Sequence, residues 1–374
     1  MVARTRTRLK YFSTAGYCFR TSFGVPQPHS DDTIAGIYKQ VYQNCTDVAK
    51  QGRSDHTLSI QKWVMDCVPM NGVSNVGGST TWTFNNYLGN MANNQSLASV
   101  PSWPSRTTDA TRLLARTNPN AFQVQTLENL VDIGDLPKLV QLAGNTILKR
   151  GAGAYLSWEF GWKPLISDLK KMLDWQALTN KKVRELHALY QSGGLHRKRN
   201  LQTWSYETAT NANLFGPSFG TNLTVRRKTF ITAKRWGSVR YLPTTLPPKD
   251  ESDYRRRALR IVYGLDLTPS SIWESLPWSW LADWFGNVGD YLVKYNNLVP
   301  VVASTPCIME QFTQRTDMTR TDSETGVSGG TSISRYDSKN RYLVAPGITA
   351  SMPFLTARQL SILGALFITK HRAR

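Results

Sequence analysis

Apolar and polar positions alternate with period two over long parts of the chain, interrupted by stretches with a helical period. Met1 to Val25 reads as extended, with Arg4, Arg6 and Arg8 alternating with Thr5 and Thr7 and followed by Lys10, so four cations share one strand face. That stripe fits a solvated edge strand or a phosphate-facing surface equally well. Pro26 and Pro28 close the segment, and Ile34 to Val48 is ambiguous between helix and strand. LSIQKWVMDCV and STTWTFNNYL, within His56 to Leu88, read as strands joined by a Gly-, Asn- and Ser-rich turn, and a polar loop follows from Gly89 to Arg106. Asn118 and Pro119 break the chain after ATRLLART. From Val124 to Tyr190 the period is helical: Leu127, Leu130 and Val131, then Leu139, Val140, Leu142 and Ile147, predict two short helices. Tyr155 to Trp175 and Lys181 to Tyr190 continue the run until Gly193 and Gly194 end it.

Strand patterning returns from Leu201 to Leu242, and Asp250 to Tyr263 predicts a basic helix with Ser252 as a candidate cap. Val299 to Thr349 is strand-like again, with SETGVSGG as a hairpin tip. Thr356 to Arg372 predicts a final helix whose basic end suits the helix dipole. Long hairpin-like strand blocks separated by helical blocks favour an α+β fold over a doubly wound parallel sheet. The expectation is an antiparallel β-region plus a helical-bundle region, each assembled from discontinuous segments. The β-region takes 1–123, 199–248 and 299–350; the helical region takes 124–198, 249–298 and 351–374.

Two aromatic stretches stand out. Ser270 to Leu292, SSIWESLPWSWLADWFGNVGDYL, holds four of the twelve tryptophans; Tyr155 to Leu173, YLSWEFGWKPLISDLKKML, holds two more. Each buried Trp removes a large apolar area from water, so Trp158, Trp162, Trp273, Trp278, Trp280 and Trp284 are expected to form the structural core. An aromatic ligand cage is the alternative.

Charge changes the picture more than composition does. Forty-five Lys and Arg oppose 26 Asp and Glu, for a net charge of +19, which points to a polyanionic partner, nucleic acid before acidic membrane. Cys18, Cys45, Cys67 and Cys307 are too widely spaced for a zinc site and nothing requires them to form disulfides. The N-terminus lacks the apolar core of a signal peptide, and the longest apolar run, LSILGALFI, is too short for a membrane span. The expectation is synthesis in a cytoplasm without ordinary secretion, and no transmembrane segment.

Motifs for phosphate loops, dinucleotide binding, zinc proteases and serine hydrolases are missing. Asp283 and Asp290, seven apart, fit a helix cap and a partner for Trp or Arg better than an acid–base pair. The reading is a non-enzyme with no cofactor, no metal and no small-molecule substrate. What remains is a set of basic runs, from which the RNA-binding candidates are Lys149, Arg150, Lys170, Lys171, Lys181, Lys182, Arg184, Arg197, Lys198, Arg199, Arg255, Arg256, Arg257, Arg260, Lys370 and Arg372. Any one run is usually a solvated face. Tyr190, Tyr254 and Trp175 lie near such runs and are candidates for stacking on unpaired bases.

The segments FGWKPLISDL and PWSWLADWFGNVGDYL resemble signature segments of the maturation proteins (A proteins) of single-stranded RNA bacteriophages, the levivirus family. The resemblance extends along most of the chain in its order of segments. It implies an elongated α+β molecule, present once per virion, that takes the place of a coat-protein dimer and binds genomic RNA near its 3′ end. It also implies attachment to a host receptor, usually a retractile pilus, and entry with the RNA. On that basis Thr321, Ser323, Glu324 and Arg335, around the SETGVSGG tip, are the receptor-binding candidates, with the turn at Leu214 to Leu223 as a second site. A host-type RNA-binding or RNA-processing protein without a capsid role, and a nucleic-acid enzyme, are the alternatives; one copy per RNA-filled particle discriminates against both.

Overall fold

A computed structural model describes residues 3–27, 34–48, 55–76, 79–92, 97–120, 155, 158, 175–213, 223–263, 270, 273, 283–294, 299–322, 325–348 and 357–371. The N-terminal alternation forms β1 (Ala3–Ser22), which changes partner along its length. Ala3 to Gly16 runs antiparallel to β3 (Ile34–Val48), and Tyr17 to Ser22 to β6 (Thr80–Tyr87). Phe23 and Gly24, both at positive φ (51° and 78°), turn β1 into β2 (Val25–Gln27), as a tight two-residue hairpin requires. The ambiguous Ile34 to Val48 segment is a strand because β4 (Leu58–Val68) binds its other edge. The ladder continues through β12 (Thr331–Leu343), β10 (Cys307–Arg320), β8 (Thr224–Pro243) and β7 (Leu195–Asn213). Beyond β6 lie β5 (Met70–Val76) and β11 (Val327–Ser328), while β9 (Val301–Ala303) pairs with β8.

The described helices are a 3-10 turn at Gly89–Ala92, α1 (Arg106–Thr117), α2 (Trp175–Gln191), α3 (Glu251–Tyr263), α4 (Val288–Val293) and α5 (Ala357–His371). Strand residues make up 54% and helical residues 26% of the described residues, so the expected α+β fold with a helical-bundle region beside a β-region is overturned. The architecture is one large antiparallel sheet accompanied by a few helices. The physical reason is long-range pairing. Strand blocks that look separate in sequence join edge to edge, β4 to β12 and β10 to β8, while β1 and β8 each run 20 residues. The two helices expected between Val124 and Ile147 lie outside the described residues.

The chain forms two compact units: Met1–Trp103 with Asn200–Trp236 and Cys307–Leu343, and Pro104–Arg199 with Gly237–Pro306 and Val344–Arg374. In the first, alternation on β1, β4 and β6 drives Cys18, Met65, Cys67, Trp82 and Phe84 into one cluster with Met70, Leu223, Val225, Met318 and Val327. Gly16 sits where an added Cβ would lie 2.2 Å from the Asn86 carbonyl oxygen, so the crossing of β1 over the end of β6 needs glycine. In the second, α1 starts at Ser105, whose Oγ accepts from the Thr108 amide at 3.1 Å, and buries Leu113 against Gly237 of β8. The break read at Asn118 is a buried anchor. Asn118 Nδ2 donates to the Val293 carbonyl at 2.9 Å, and Asn120 donates to and accepts from the backbone of Val299. Tyr241 donates to the Leu114 carbonyl at 3.3 Å and pairs with Thr117 Oγ1 at 3.0 Å; burial pushes its phenol up to about 12.

Candidate nucleic-acid and partner surfaces

The largest group of predicted RNA-binding residues sits on α2 and α3, which pack against each other in the second unit. Asp250, not Ser252, caps α3: its carboxylate accepts from the Asp253 amide at 2.9 Å and from Ser252 Oγ at 2.7 Å, which holds it below the usual carboxylate range. Spacing of i, i+4, i+7 and i+8 buries Tyr254, Ala258, Ile261 and Val262, against Val183, Leu186 and Leu189 of α2. The same geometry turns Arg256 and Arg260 outward, leaves Arg255 exposed on the flank and half-covers Arg257. Arg256 meets Asp253 at 3.2 Å. On α2, Lys181 and Arg184 are exposed, and Lys198 and Arg199 are exposed on the start of β7.

Not every predicted contact has a free head group. Lys182 is buried and donates to Glu185 at 3.4 Å, and Arg197 binds the same carboxylate. Desolvation lowers the Lys182 pKa, opposed by the Glu185 charge. These three form an internal ion cluster that fixes α2 to β7. Tyr254 is buried, stacked on His187 with centroids 3.9 Å apart, and Tyr190 meets it edge-on at 6.2 Å. His187 Nε2 is 2.8 Å from Glu251, so this aromatic group links the helices and Tyr254 has no face for a base. Lys149, Arg150, Lys170, Lys171 and Arg372 lie outside the described residues; Lys370 lies on α5, and its side chain is outside them too.

In the first unit the register sorts charge by face. Period-two pairing across β1, β3, β4, β12 and β10 puts Arg4, Arg6, Arg8 and Lys10 on the same face as Lys39, Lys62, Arg335, Lys339, Arg341 and Arg315. Asp47, Asp66, Asp317 and Asp337 share this face. On the other face the cross-strand rows that all five strands share carry no cation; two of them read Thr5, Thr46, Ser59, Asn340, Glu310 and Leu9, Tyr42, Trp63, Tyr336, Gln314. Asp47 accepts from Arg4 at 2.6 Å and Arg6 at 2.9 Å, and the Arg4 hydrogen bond holds its carboxyl below the usual range. Lys39 pairs with Asp66 at 2.9 Å, Arg315 with Asp317 at 2.8 Å and Arg335 with Asp337 at 2.7 Å. The N-terminal stripe was legible in the sequence; its continuation on β12 and β10 needs the pairing register.

The receptor candidates part company. Thr321 is exposed and ties β10 to β8, its amide donating to the Thr224 carbonyl at 2.9 Å. Arg335 lies mid-strand on the cationic face, and Ser323 and Glu324 lie outside the described residues. The tip is no free hairpin end. Val327 and Ser328 pair with Gly72 and Asn71, Val327 joins the core, and Arg320 binds both Asp322 and the Val327 carbonyl.

Among the core tryptophans, Trp273 is half-buried and its Nε1 donates to Asp283 at 3.3 Å; the same carboxylate accepts from the Gly289 amide at 3.0 Å, at the start of α4. Asp290 lies 4.0 Å from Arg112, and burial raises its pKa. Both aspartates thus do structural work as cap and ion partner. Trp284 is half-buried and Trp158 is 52% exposed, while Trp162, Trp278 and Trp280 lie outside the described residues. All four cysteines are free thiols. No cluster of potential metal ligands and no helix long and apolar enough to cross a membrane is present among the described residues. A cleft of about 380 Å³ in the first unit is lined by Trp103, Phe312, Tyr336 and Asn340, with Arg235 paired to Glu310 at 2.7 Å and lying 4.9 Å from the Trp103 ring centroid.

The family model described as phage maturation protein matches residues 138–344. No curated protein matches the chain.

Proposed function

The chain belongs to the phage maturation protein family, and from that premise we propose that it binds the genomic RNA of an RNA phage, takes the place of a coat-protein dimer and attaches the particle to a host receptor, expected to be a pilus. Its place as a virion component follows from the family; synthesis in the host cytoplasm goes with the proposal. The observation that carries the RNA reading is the exposed basic surface of α2 and α3, where Lys181, Arg184, Arg255, Arg256 and Arg260 face solvent around a packed apolar seam. Cations on two rigid helices neutralise phosphates and release their counterions, which gives affinity without a catalytic group.

The test is a salt titration of purified chain on phage RNA. Arg256→Gln with Arg260→Gln should weaken binding and reduce the magnitude of the logarithmic salt slope by up to about one per lost phosphate contact. Unchanged affinity and slope would remove this helix pair from the RNA interface. Parent protein that binds host RNA as tightly as phage RNA, and is missing from RNA-filled particles, would favour a host-type RNA-binding protein.

A further inference from the structure

The cleft of the first unit lies on the sheet face turned away from the cationic stripe. Register builds its floor: Glu310 and Asn340 share one cross-strand row, Phe312, Ser338 and Gln61 the next, and Gln314 and Tyr336 a third. The loop from Leu97 to Trp103 crosses these rows. At one end the Ala98 amide donates to Gln314 Oε1 at 2.9 Å; at the other, Trp103 covers the Arg235 guanidinium, which is paired to Glu310. Loop and floor enclose about 380 Å³, all within one compact unit. That is the small end of the range for ligand sites, about 300–1,000 Å³, with room for one ring system and not for a folded helix. Asn340 Oδ1 accepts from Ser59 Oγ at 2.8 Å, while Asn340 Nδ2, Ser338 Oγ, the Tyr336 hydroxyl and the Gln61 amide have no hydrogen-bond partner among the described residues. Arg235 and Glu310 neutralise each other, so the cleft does not call for a phosphate or another ion. A purely apolar ligand would leave the amides and hydroxyls of the floor unpaired. Aromatic rings beside uncharged donors and acceptors suit a flat heterocycle with a polar edge.

We propose that this cleft takes a single unpaired nucleobase, its ring against Tyr336 and Phe312 and its edge on Asn340, Ser338 and Gln61. The proposal rests on the RNA-binding reading and deepens it: cations on α2 and α3 reward any phosphate backbone, whereas this cleft responds to the base itself. Amide side chains present a donor and an acceptor together, the pattern that pairs with the edge of adenine. A free nucleoside carries the same ring and edge, so the experiment separates the two sources.

The test uses the purified full chain and a single-stranded RNA carrying one 2-aminopurine, a fluorescent adenine analogue whose emission falls when it stacks. The chain should quench that emission about twofold or more, and an abasic residue at the same position should weaken binding about tenfold. Ser338→Leu, which fills the floor, should abolish both effects, and Gln61→Ala should reduce the abasic penalty. Should Ser338→Leu fail to fold, Gln61→Ala decides, since Gln61 is exposed. An abasic RNA that binds as tightly as the intact one, or quenching unchanged in the variants, overturns the proposal and leaves phosphate binding standing. Displacement of the quench by a hexose and not by adenosine would make the cleft a sugar site and also overturn it. If the chain binds no RNA even at low salt, the RNA-binding reading itself fails. Quenching of free 2-aminopurine riboside that is lost in Ser338→Leu would then support the cleft with a free nucleoside as its source, and its absence would overturn the cleft as well.

Discussion

The sheet face of the first unit and the helix pair of the second are both cationic, yet they hold their charge differently. On the sheet, Arg4 and Arg6 share Asp47, and Arg315 and Arg335, directly opposite each other in the register, are each held by an aspartate two residues on. Like charges opposed across strands repel, so those aspartates offset the cost and fix the guanidinium directions. On α3, arginines at four of six successive positions fan around the axis, and Asp253 restrains only Arg256. A rigid, directed array suits a partner with a matching shape. A fan of long side chains suits a phosphate backbone, which rewards charge more than direction. Two surfaces with similar charge can therefore serve different partners.

The cores differ in the same way. Trp82 is 1% exposed in a cluster rich in aromatics and sulfur, while the second unit buries Leu113, Leu186, Leu189 and Ile261. Trp82→Ala should cost about 3–5 kcal/mol, and Leu186→Ala about 2–5 kcal/mol, in urea unfolding of the purified chain. A Trp82→Ala protein that unfolds like the parent would mean that the cluster does not hold the first unit together, and the contrast drawn between the cores would fail.

Alkali sharpens the comparison. Burial pushes the Cys67 thiol in the first unit up to about 11, and the Tyr241 phenol in the second up to about 12. Both groups keep their protons longer folded than unfolded. Folded protein then binds more protons, and stability falls with rising pH, between about 9 and 11 for Cys67 and between about 10 and 12 for Tyr241. Each loss is about 2–3 kcal/mol if the whole shift is realised. Cys67→Ala should flatten the lower part of the alkaline stability curve, and Tyr241→Phe the upper part. Lys182 works in the opposite sense: its lowered pKa means that stability rises with pH through the window just below the ordinary lysine value. A Cys67→Ala curve that is unchanged below pH 10 would show that the thiol is solvated.

Much of the local structure was legible, because alternation and helical period follow from side-chain geometry alone. Leu201 to Leu242 and the basic helix before Tyr263 lie where the pattern puts them. The fold class was not, because the pairing of β4 with β12 depends on contacts between residues far apart in the chain. α1 was missed although Ser105 and Thr108 form a capping pair; the polar loop before it hid the start. At the candidate surfaces, the basic runs were visible, but the burial of Lys182 and the stacking of Tyr254 were not. A run of charge carries no information about which head group a neighbouring Glu185 has claimed.

The smallest expected effects test whether each surface owes its rigidity to its own type of local bond. In the second unit, Ser105 is the acceptor for an amide at the start of α1, where backbone donors have no helical partner. Ser105→Ala should cost about 1 kcal/mol, and Ser105→Asp should recover it, because the carboxylate keeps the acceptor and favours the positive end of the helix dipole. In the first unit, Thr5 and Thr46 pair across exposed strands with their hydroxyls 3.3 Å apart. Thr5→Ala should cost less, a few tenths of a kcal/mol, because both hydroxyls return to water and no backbone donor is orphaned. Urea midpoints at constant slope measure both. If Thr5→Ala costs as much as Ser105→Ala, the arm of β1 that carries Arg4, Arg6 and Arg8 depends on side-chain pairing more than on its backbone ladder. Its guanidinium array would then be adjustable, and the contrast between a directed sheet face and a fanned helix would lose its physical basis.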